Sequence, residues 1–198
     1  MTRKIVAILG SYRQGGTIET AVDIILQSAR ARGAETQVFN LREQHIEFCT
    51  NCRSCMQAPG ATRGQCVQQD DLEDILTAVE AADALVLAAP VNCYNTTALF
   101  RRFMERLVGF GYWPWGQNAP RARSRQRSRR AVLVASAAMP AFLIPLATGA
   151  PRALRLTASL LGATPLRALW IGLAAHQPEA HLSASVRQRA VRIGAMLA

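Results

Sequence analysis

Short, unbroken apolar runs that alternate with amphipathic stripes constrain this chain more than any other feature of it. Ile5–Leu9 is a continuous β-favouring run ended by Gly10 and Ser11. The positions Ala21, Val22, Ile25, Leu26 and Ala29 then share one helical face, with Gly33 as the stop. Thr36–Leu41 reads as a second strand. Asp70-Asp71-Leu72-Glu73 is a capping signal that opens a helix with the stripe Leu72, Ile75, Leu76 and Val79. Ala84–Ala89 is a third strand closed by Pro90, and Leu99, Phe100, Phe103, Met104 and Leu107 mark the next helix. Ala131–Ser136 is a fourth strand, Leu154, Thr157, Ala158 and Leu161 a helical face, Leu169–Leu173 a fifth strand, and Ser183–Leu197 a closing helix. Runs that are apolar on both sides need cover on both sides. The pattern therefore predicts an α/β fold, a doubly wound five-stranded parallel sheet with helices on both faces. Such sheets bind ligands at the carboxyl ends of their strands.

Length and charge narrow the reading. The 198 residues suit one compact domain, with a Cys-rich loop at 45–69 and an aromatic and Arg-rich insertion at 109–130. Half the residues are apolar and 18% are charged, which excludes disorder, collagen-like and coiled-coil architectures. The net charge of +10 comes from 22 Arg and the lone Lys4 against 13 acids, and six of those Arg lie in Arg121–Arg130, leaving +4 for the rest. A solvated loop is the reading adopted for that run, and nucleic acid is not an expected partner. Ala131–Pro151 carries no charge over 21 residues and has the outline of a membrane span. Pro140 and Pro145 inside it, with the β-like alternation at its start, favour a buried strand, a loop and an apolar helix instead. Membrane contact is not expected. The apolar run after Met1-Thr2-Arg3-Lys4 is too short for a secretory signal, so a cytoplasmic setting is expected, where clustered thiols mean metal or redox chemistry rather than bridges.

Gly10-Ser11-Tyr12-Arg13-Gln14-Gly15-Gly16-Thr17 joins the first strand to the first helix. Small residues there let backbone N–H groups and the helix N-terminus converge on an anion. Gly16 occupies the place of the P-loop lysine, which removes an NTPase reading, and no G-x-G-x-x-G fingerprint is present. The loop suits a single terminal phosphate such as that of FMN.

These residues resemble a known family. Gly10-Ser11-Tyr12-Arg13 with Gly16 is similar to the G-S-x-R-x-x-G phosphate loop of the flavodoxin-like, NAD(P)H-dependent FMN reductases. Pro90-Val91, Thr97-Ala98 and Phe100-Arg101-x-Phe103-Met104-Glu105-Arg106 resemble that family's second block. The resemblance implies a flavodoxin-like strand order 2-1-3-4-5, FMN as cofactor and NAD(P)H as electron donor. It implies that Ser11, Arg13, Gly16 and Thr17 hold the phosphate. Pro90, Val91, Asn92, Cys93, Tyr94 and Asn95 would line the isoalloxazine, with Ser136 and Ala137 beneath it. Ile18 stands where the family has Thr, Asn92 and Cys93 where it has aromatics, and Arg101 where it has Lys. No acid–base pair is expected, because hydride chemistry belongs to the flavin. A homodimer or homotetramer is also implied.

Cys49-x2-Cys52-x2-Cys55, with Cys66 further on, forms the second constellation. Thiols at this tight repeat can wrap one face of a [4Fe–4S] cubane, and a fourth from the bendable arm with Pro59, Gly60 and Gly64 closes the set. Structural zinc more often uses two separated knuckles, and free or redox-active thiols are the third reading. The motif resembles that of iron–sulfur flavoproteins, with a longer last gap. Cys93 reads as a small residue near the flavin. His45 and His176 show no partner pattern. Tyr112-Trp113-Pro114-Trp115-Gly116 reads equally as a lid over the ring or subunit contact and as a packed turn.

Function then divides into classes. The leading expectation is an FMN oxidoreductase that passes electrons from NAD(P)H to a small acceptor, such as a quinone, a nitro or azo compound, or a metal ion. The alternative is an iron–sulfur flavoprotein relaying electrons between proteins, one of them ferredoxin-like. A basic binding protein acting through Arg121–Arg130 is the non-redox class.

Overall fold

The computed structural model describes residues 2–124, 126–175 and 179–198. Arg125 of the arginine run and His176 lie outside the described residues. The chain runs β1 (Lys4–Leu9), α1 (Thr17–Arg30), β2 (Glu35–Asn40), a long loop, α2 (Leu72–Glu80), β3 (Ala84–Asn92), β4 (Asn95–Thr96) and α3 (Ala98–Glu105). After a 3-10 segment at Arg106–Phe110 come β5 (Gly111–Tyr112), β6 (Arg121–Ala122), β7 (Arg129–Ser136), α4 (Ile144–Ala147), α5 (Ala150–Leu160), β8 (Ala163–Ile171) and α6 (Ala184–Leu197). The main sheet has the order β2-β1-β3-β7-β8, all parallel, which over the long strands is the flavodoxin-like 2-1-3-4-5.

Two helical layers cover the sheet. Ile18, Val22, Ile25 and Leu26 of α1 join Ile193 and Leu197 of α6 on one face, over Ala7, Val86 and Val134. On the other face Leu72, Ile75 and Leu76 of α2, Phe100 and Phe103 of α3 and Leu154 and Ala158 of α5 pack over Ile8, Leu87 and Leu133. The apolar stretch 131–151 is divided as expected, into β7, a turn, α4 and the start of α5. Among the described residues no helix is long and apolar enough to cross a membrane.

Two strands differ from the sequence reading. β3 does not stop at Pro90 but continues to Asn92. Pairing with β1 ends at Leu9↔Ala88, so the missing N–H of Pro90 falls beyond that ladder while its other neighbour, Ser136, still pairs with it. β8 begins at Ala163 rather than Leu169. It is an edge strand with an irregular register opposite Ala131/Val132, so its first half is partly solvated and lacks an apolar run.

Because the long strands are parallel, the ends of β1, β2, β3 and β7 lie along one edge of the sheet. The glycine loop, the Cys-rich loop, the segment 90–97 and Ser136-Ala137 therefore all emerge on that carboxyl edge.

Candidate functional site

The glycine loop is anchored before it curls. Gly10 N–H donates to the Ala88 carbonyl at 2.8 Å, and the Gly10 carbonyl accepts from Thr97 Oγ at 2.5 Å. A Cβ on Gly10 would fall 2.6 Å from Phe100 Cβ, so only glycine lets α3 pack this close. Ser11 is buried, and its hydroxyl accepts from Arg13 N–H at 3.2 Å, closing the turn on itself. Gly15 takes φ +63°, and the chain then enters α1 through Gly16, whose N-cap position carries no side-chain cap. The first-turn amides thus lack the usual capping oxygen, the condition for an anion at a helix N-terminus. The Glu19 carboxylate stands just before the helix start, where it accepts from Gly15 N–H and pairs with Arg42 at 3.2 Å, and leaves the first-turn amides open. Thr17 opens the helix half-buried, while Arg13 and Tyr12 stand exposed. Ile18, in place of a hydroxyl, is buried in the α1 core.

Beside this loop, β3 and β4 form a hairpin. Val91 pairs with Thr96 and Asn92 with Asn95, leaving Cys93 and Tyr94 as the two-residue turn. Both carry positive φ, 46° and 60°, as a type I′ turn requires and as non-glycine residues seldom adopt. The turn is held from behind, where Gly149 N–H donates to the Tyr94 carbonyl at 2.7 Å. Tyr94 is 70% exposed, presenting an aromatic ring to solvent on this edge. Ser136 pairs with Pro90 in the sheet, and Ala137 follows; both are buried.

The Cys-rich loop is tied down by ions. Arg106, at the end of α3, donates to Asp70 Oδ2 at 2.5 Å, to the Glu47 carbonyl at 2.7 Å and to Cys66 Sγ at 3.4 Å. Both charged side chains of the Arg106–Asp70 pair are almost wholly buried. Burial alone would push the Asp70 carboxyl up, but the bonds from Arg106 and from the Glu47 and Leu72 amides hold it below its ordinary value. Cys49, Cys52, Cys55 and Cys66 line one small cavity with Arg106. Burial, and then the neighbouring thiols, pushes the Cys55 thiol up. Bonds from Ser54 and Thr50 bring the exposed Cys52 thiol down.

The insertion closes over this loop. The Arg53 guanidinium lies 3.9 Å from the Trp113 ring centroid and 4.2 Å from that of Trp115, and donates to the Trp113 carbonyl at 2.6 Å. Arg123 reaches back to the carbonyls of Gly109, Gly111, Ala58 and Cys55. Gly64 N–H donates to the Gly109 carbonyl at 2.9 Å, and a Cβ on Gly64 would meet the Cys55 oxygen at 1.8 Å. The aromatic segment therefore clamps the Cys-rich loop through Arg53, with Tyr112 and Trp113 half-buried and Trp115 67% exposed, and Arg123 is a tie rather than a solvated charge.

The structure thus gathers the expected residues into two neighbouring places. Ser11, Arg13, Gly16 and Thr17 form one turn, Pro90–Asn95 the hairpin, and Ser136-Ala137 the adjoining strand end, all on one edge. The four clustered cysteines share the second place, and Cys93 stays apart on the hairpin. All five cysteines are free thiols, and the soft donor set suits the metal groups that the spacing points to. Among the described residues, however, no three His, Cys, Asp or Glu side chains are drawn together closely enough to hold an ion. Sequence reasoning missed Thr97, Glu19, Asp70, Arg53, Arg106 and Arg123 as parts of the site. Thr97 and Arg106 stood inside a recognised block. The others are joined by distance in the fold, which no local pattern announces.

A parallel sheet of this order with a glycine loop after β1 defines a flavodoxin-like protein. Residues 3–172 match the NADPH-dependent FMN reductase family, and the chain belongs to it. That membership brings FMN, and the N-terminus of α1, which carries no side-chain cap, fits the phosphate end of that cofactor. An iron-sulfur flavoprotein of Archaeoglobus fulgidus is 34% identical over 111 residues, 56% of this chain and 48% of the relative. One of Methanosarcina thermophila is 31% identical over 105 residues, 53% and 52% of the two chains. This chain spans about half the length of these curated relatives. Among solved structures, an NAD(P)H:quinone oxidoreductase from Methanothermobacter marburgensis superposes with a TM-score of 0.69 at 18% identity, covering 100% of both chains.

Proposed function

We propose that this chain is an FMN oxidoreductase that draws electrons from NAD(P)H and delivers them to a small acceptor of the quinone, nitro or azo class, or to a metal ion. The observation that carries the reading is the adjacency of the uncapped α1 N-terminus and the Cys93–Tyr94 hairpin, joined through the Gly10–Ala88 hydrogen bond. The amides at Gly16 and Thr17, with Ser11 and Arg13, receive the phosphate. The hairpin from Pro90 to Asn95 lines one side of the ring, and Ser136 and Ala137 support it from the next strand. Bound FMN supplies the two-electron chemistry, and the protein contributes orientation and backbone donors. The test is an absorption spectrum of protein incubated with FMN and desalted, followed by NADH and NADPH oxidation with each acceptor class. Retained flavin bands and acceptor-dependent oxidation are expected. Protein that releases all its flavin would sink the reading.

A second reading is favoured by the four thiols around one cavity and by the iron-sulfur flavoproteins among the relatives. In it, Cys49, Cys52, Cys55 and Cys66 hold a [4Fe–4S] cluster that supplies one-electron steps toward a ferredoxin-like partner. Protein prepared without oxygen would then carry stoichiometric iron and sulfide, and Cys52→Ser would lose both while keeping its flavin. Absence of iron in the parent chain would leave the cysteines as a thiol site. We also propose a homodimer or homotetramer, which light scattering of the FMN-loaded protein reads directly.

A further inference from the structure

We infer that the opposite, amino edge of the sheet carries a second ligand site, one that takes a phosphorylated small molecule of nucleotide size. A cavity of about 920 Å³ opens there between the C-terminal ends of α2 and α5, bounded by residues 61–65 and the insertion. That volume falls in the range of small-molecule sites, roughly 300–1,000 Å³. Its lining holds Arg63, Arg121, Arg123, Arg127 and Arg129, and among the lining residues Glu80 is the only acid.

The guanidinium groups are not equivalent. Arg63 is spent on Glu73 and on Glu80, the latter at 2.9 Å, and Arg123 on backbone carbonyls. Arg129 donates to the Glu80 carbonyl at 2.6 Å and the Leu161 carbonyl at 3.3 Å, capping both helix ends, while its Nε is buried without a partner. Arg121 and Arg127 face no carboxylate among the described residues, and Arg127 meets only the Ser159 hydroxyl, at 2.9 Å. Clustered guanidinium groups in one concavity repel each other. A polyphosphate relieves that repulsion and receives planar, charge-assisted hydrogen bonds from the two uncommitted ones, with the Ser124 and Ser128 hydroxyls on the same wall.

The site is separate from the flavin edge. Arg129 begins β7 and Ser136 ends it, about 23 Å of strand apart. A ligand here cannot exchange hydride with a flavin on the carboxyl edge, so it acts as an effector or tether. Arg63 and Arg123 hold the Cys-rich loop and also line the cavity, which ties occupancy to that loop.

Calorimetric titration of the FMN-loaded full chain with ATP and with inorganic pyrophosphate tests the inference. Saturable binding is expected, weakened about a hundredfold in the exposed double variant Arg121→Gln/Arg127→Gln, roughly tenfold for each charge-assisted contact removed. Flavin content and hydride transfer should stay as in the parent. No saturable binding of either probe, or equal affinity in the variant, would overturn the proposal. So would steeply salt-dependent binding of a short single-stranded oligonucleotide by a chain that ignores both probes, which would mark a nucleic-acid surface instead.

Discussion

The two loops on the carboxyl edge are built by opposite means. The glycine loop is backbone-made. Its shape follows from Gly15 at positive φ, from the close approach that Gly10 permits, and from a local Ser11–Arg13 bond, with two long-range bonds, to Ala88 and from Thr97, made on the Gly10 backbone itself. The Cys-rich loop is side-chain-made, held by Arg106 and Arg123 from segments about 60 positions away in sequence and by its own Arg53, which reaches out to Trp113. A loop anchored through its backbone depends on few side chains elsewhere, here Thr97 and Phe100. A loop held by distant cations depends on the end of α3 and the insertion being in place.

That contrast can be broken most forcefully at Arg106. Arg106→Met leaves Asp70 charged and buried without its partner, at a cost of about 3–5 kcal/mol. A large fall in Tm is expected, with the Cys-rich loop opening first in hydrogen exchange. Acid acts on the same pair. The Asp70 value is lowered in the fold, so its contribution is complete above the ordinary value of 3.8 and is lost as pH falls below that value. Exchange at 45–71 should therefore accelerate below about pH 4 before the sheet unfolds. Gly10→Ala comes next, costing about 1–3 kcal/mol by overpacking against Phe100. It should weaken FMN retention while the environment of the four thiols stays unchanged. Loss of both together would show that the two loops are not separately built.

Smaller effects sharpen the comparison. Arg53→Ala removes the guanidinium between Trp113 and Trp115, worth about 1 kcal/mol. Protease cleavage near 53–60 should quicken, with flavin binding untouched. Smallest is a difference between two thiols. Cys52 is exposed and its thiol is brought down by Ser54 and Thr50, whereas burial pushes Cys55 up. Alkylation followed by mass spectrometry below pH 9 should label Cys52 first. Equal rates would remove the distinction.

The same division explains what was legible in the sequence. Strands such as Ile5–Leu9 and Ala131–Ser136 announce themselves because parallel strands are apolar on both faces. The glycine loop is legible because its chemistry is local. β8 extends beyond its apolar run because an edge strand need not be apolar throughout, and β3 runs past Pro90 because the absence of a ladder partner beyond Ala88 cannot be seen in a string of residues. The clustering of four cysteines around one cavity follows from their spacing. The ties that place them, from Asp70 to Arg106 and from Cys55 to Arg123, follow only from the fold.

Helix α3 links these unlike loops. Thr97 at its start holds the Gly10 carbonyl, and Arg106 just past its end holds Cys66. The eight residues of α3 lie between them, nine steps and a rise of about 14 Å. The helix is thus a ruler that sets the spacing between the glycine loop and the thiol cavity, and a protractor as well. Removing one residue from it would shorten the span by only about 1.5 Å but swing Arg106 through about 100°. In this fold the length of one short helix governs how the glycine loop and the four-thiol cavity are placed relative to each other.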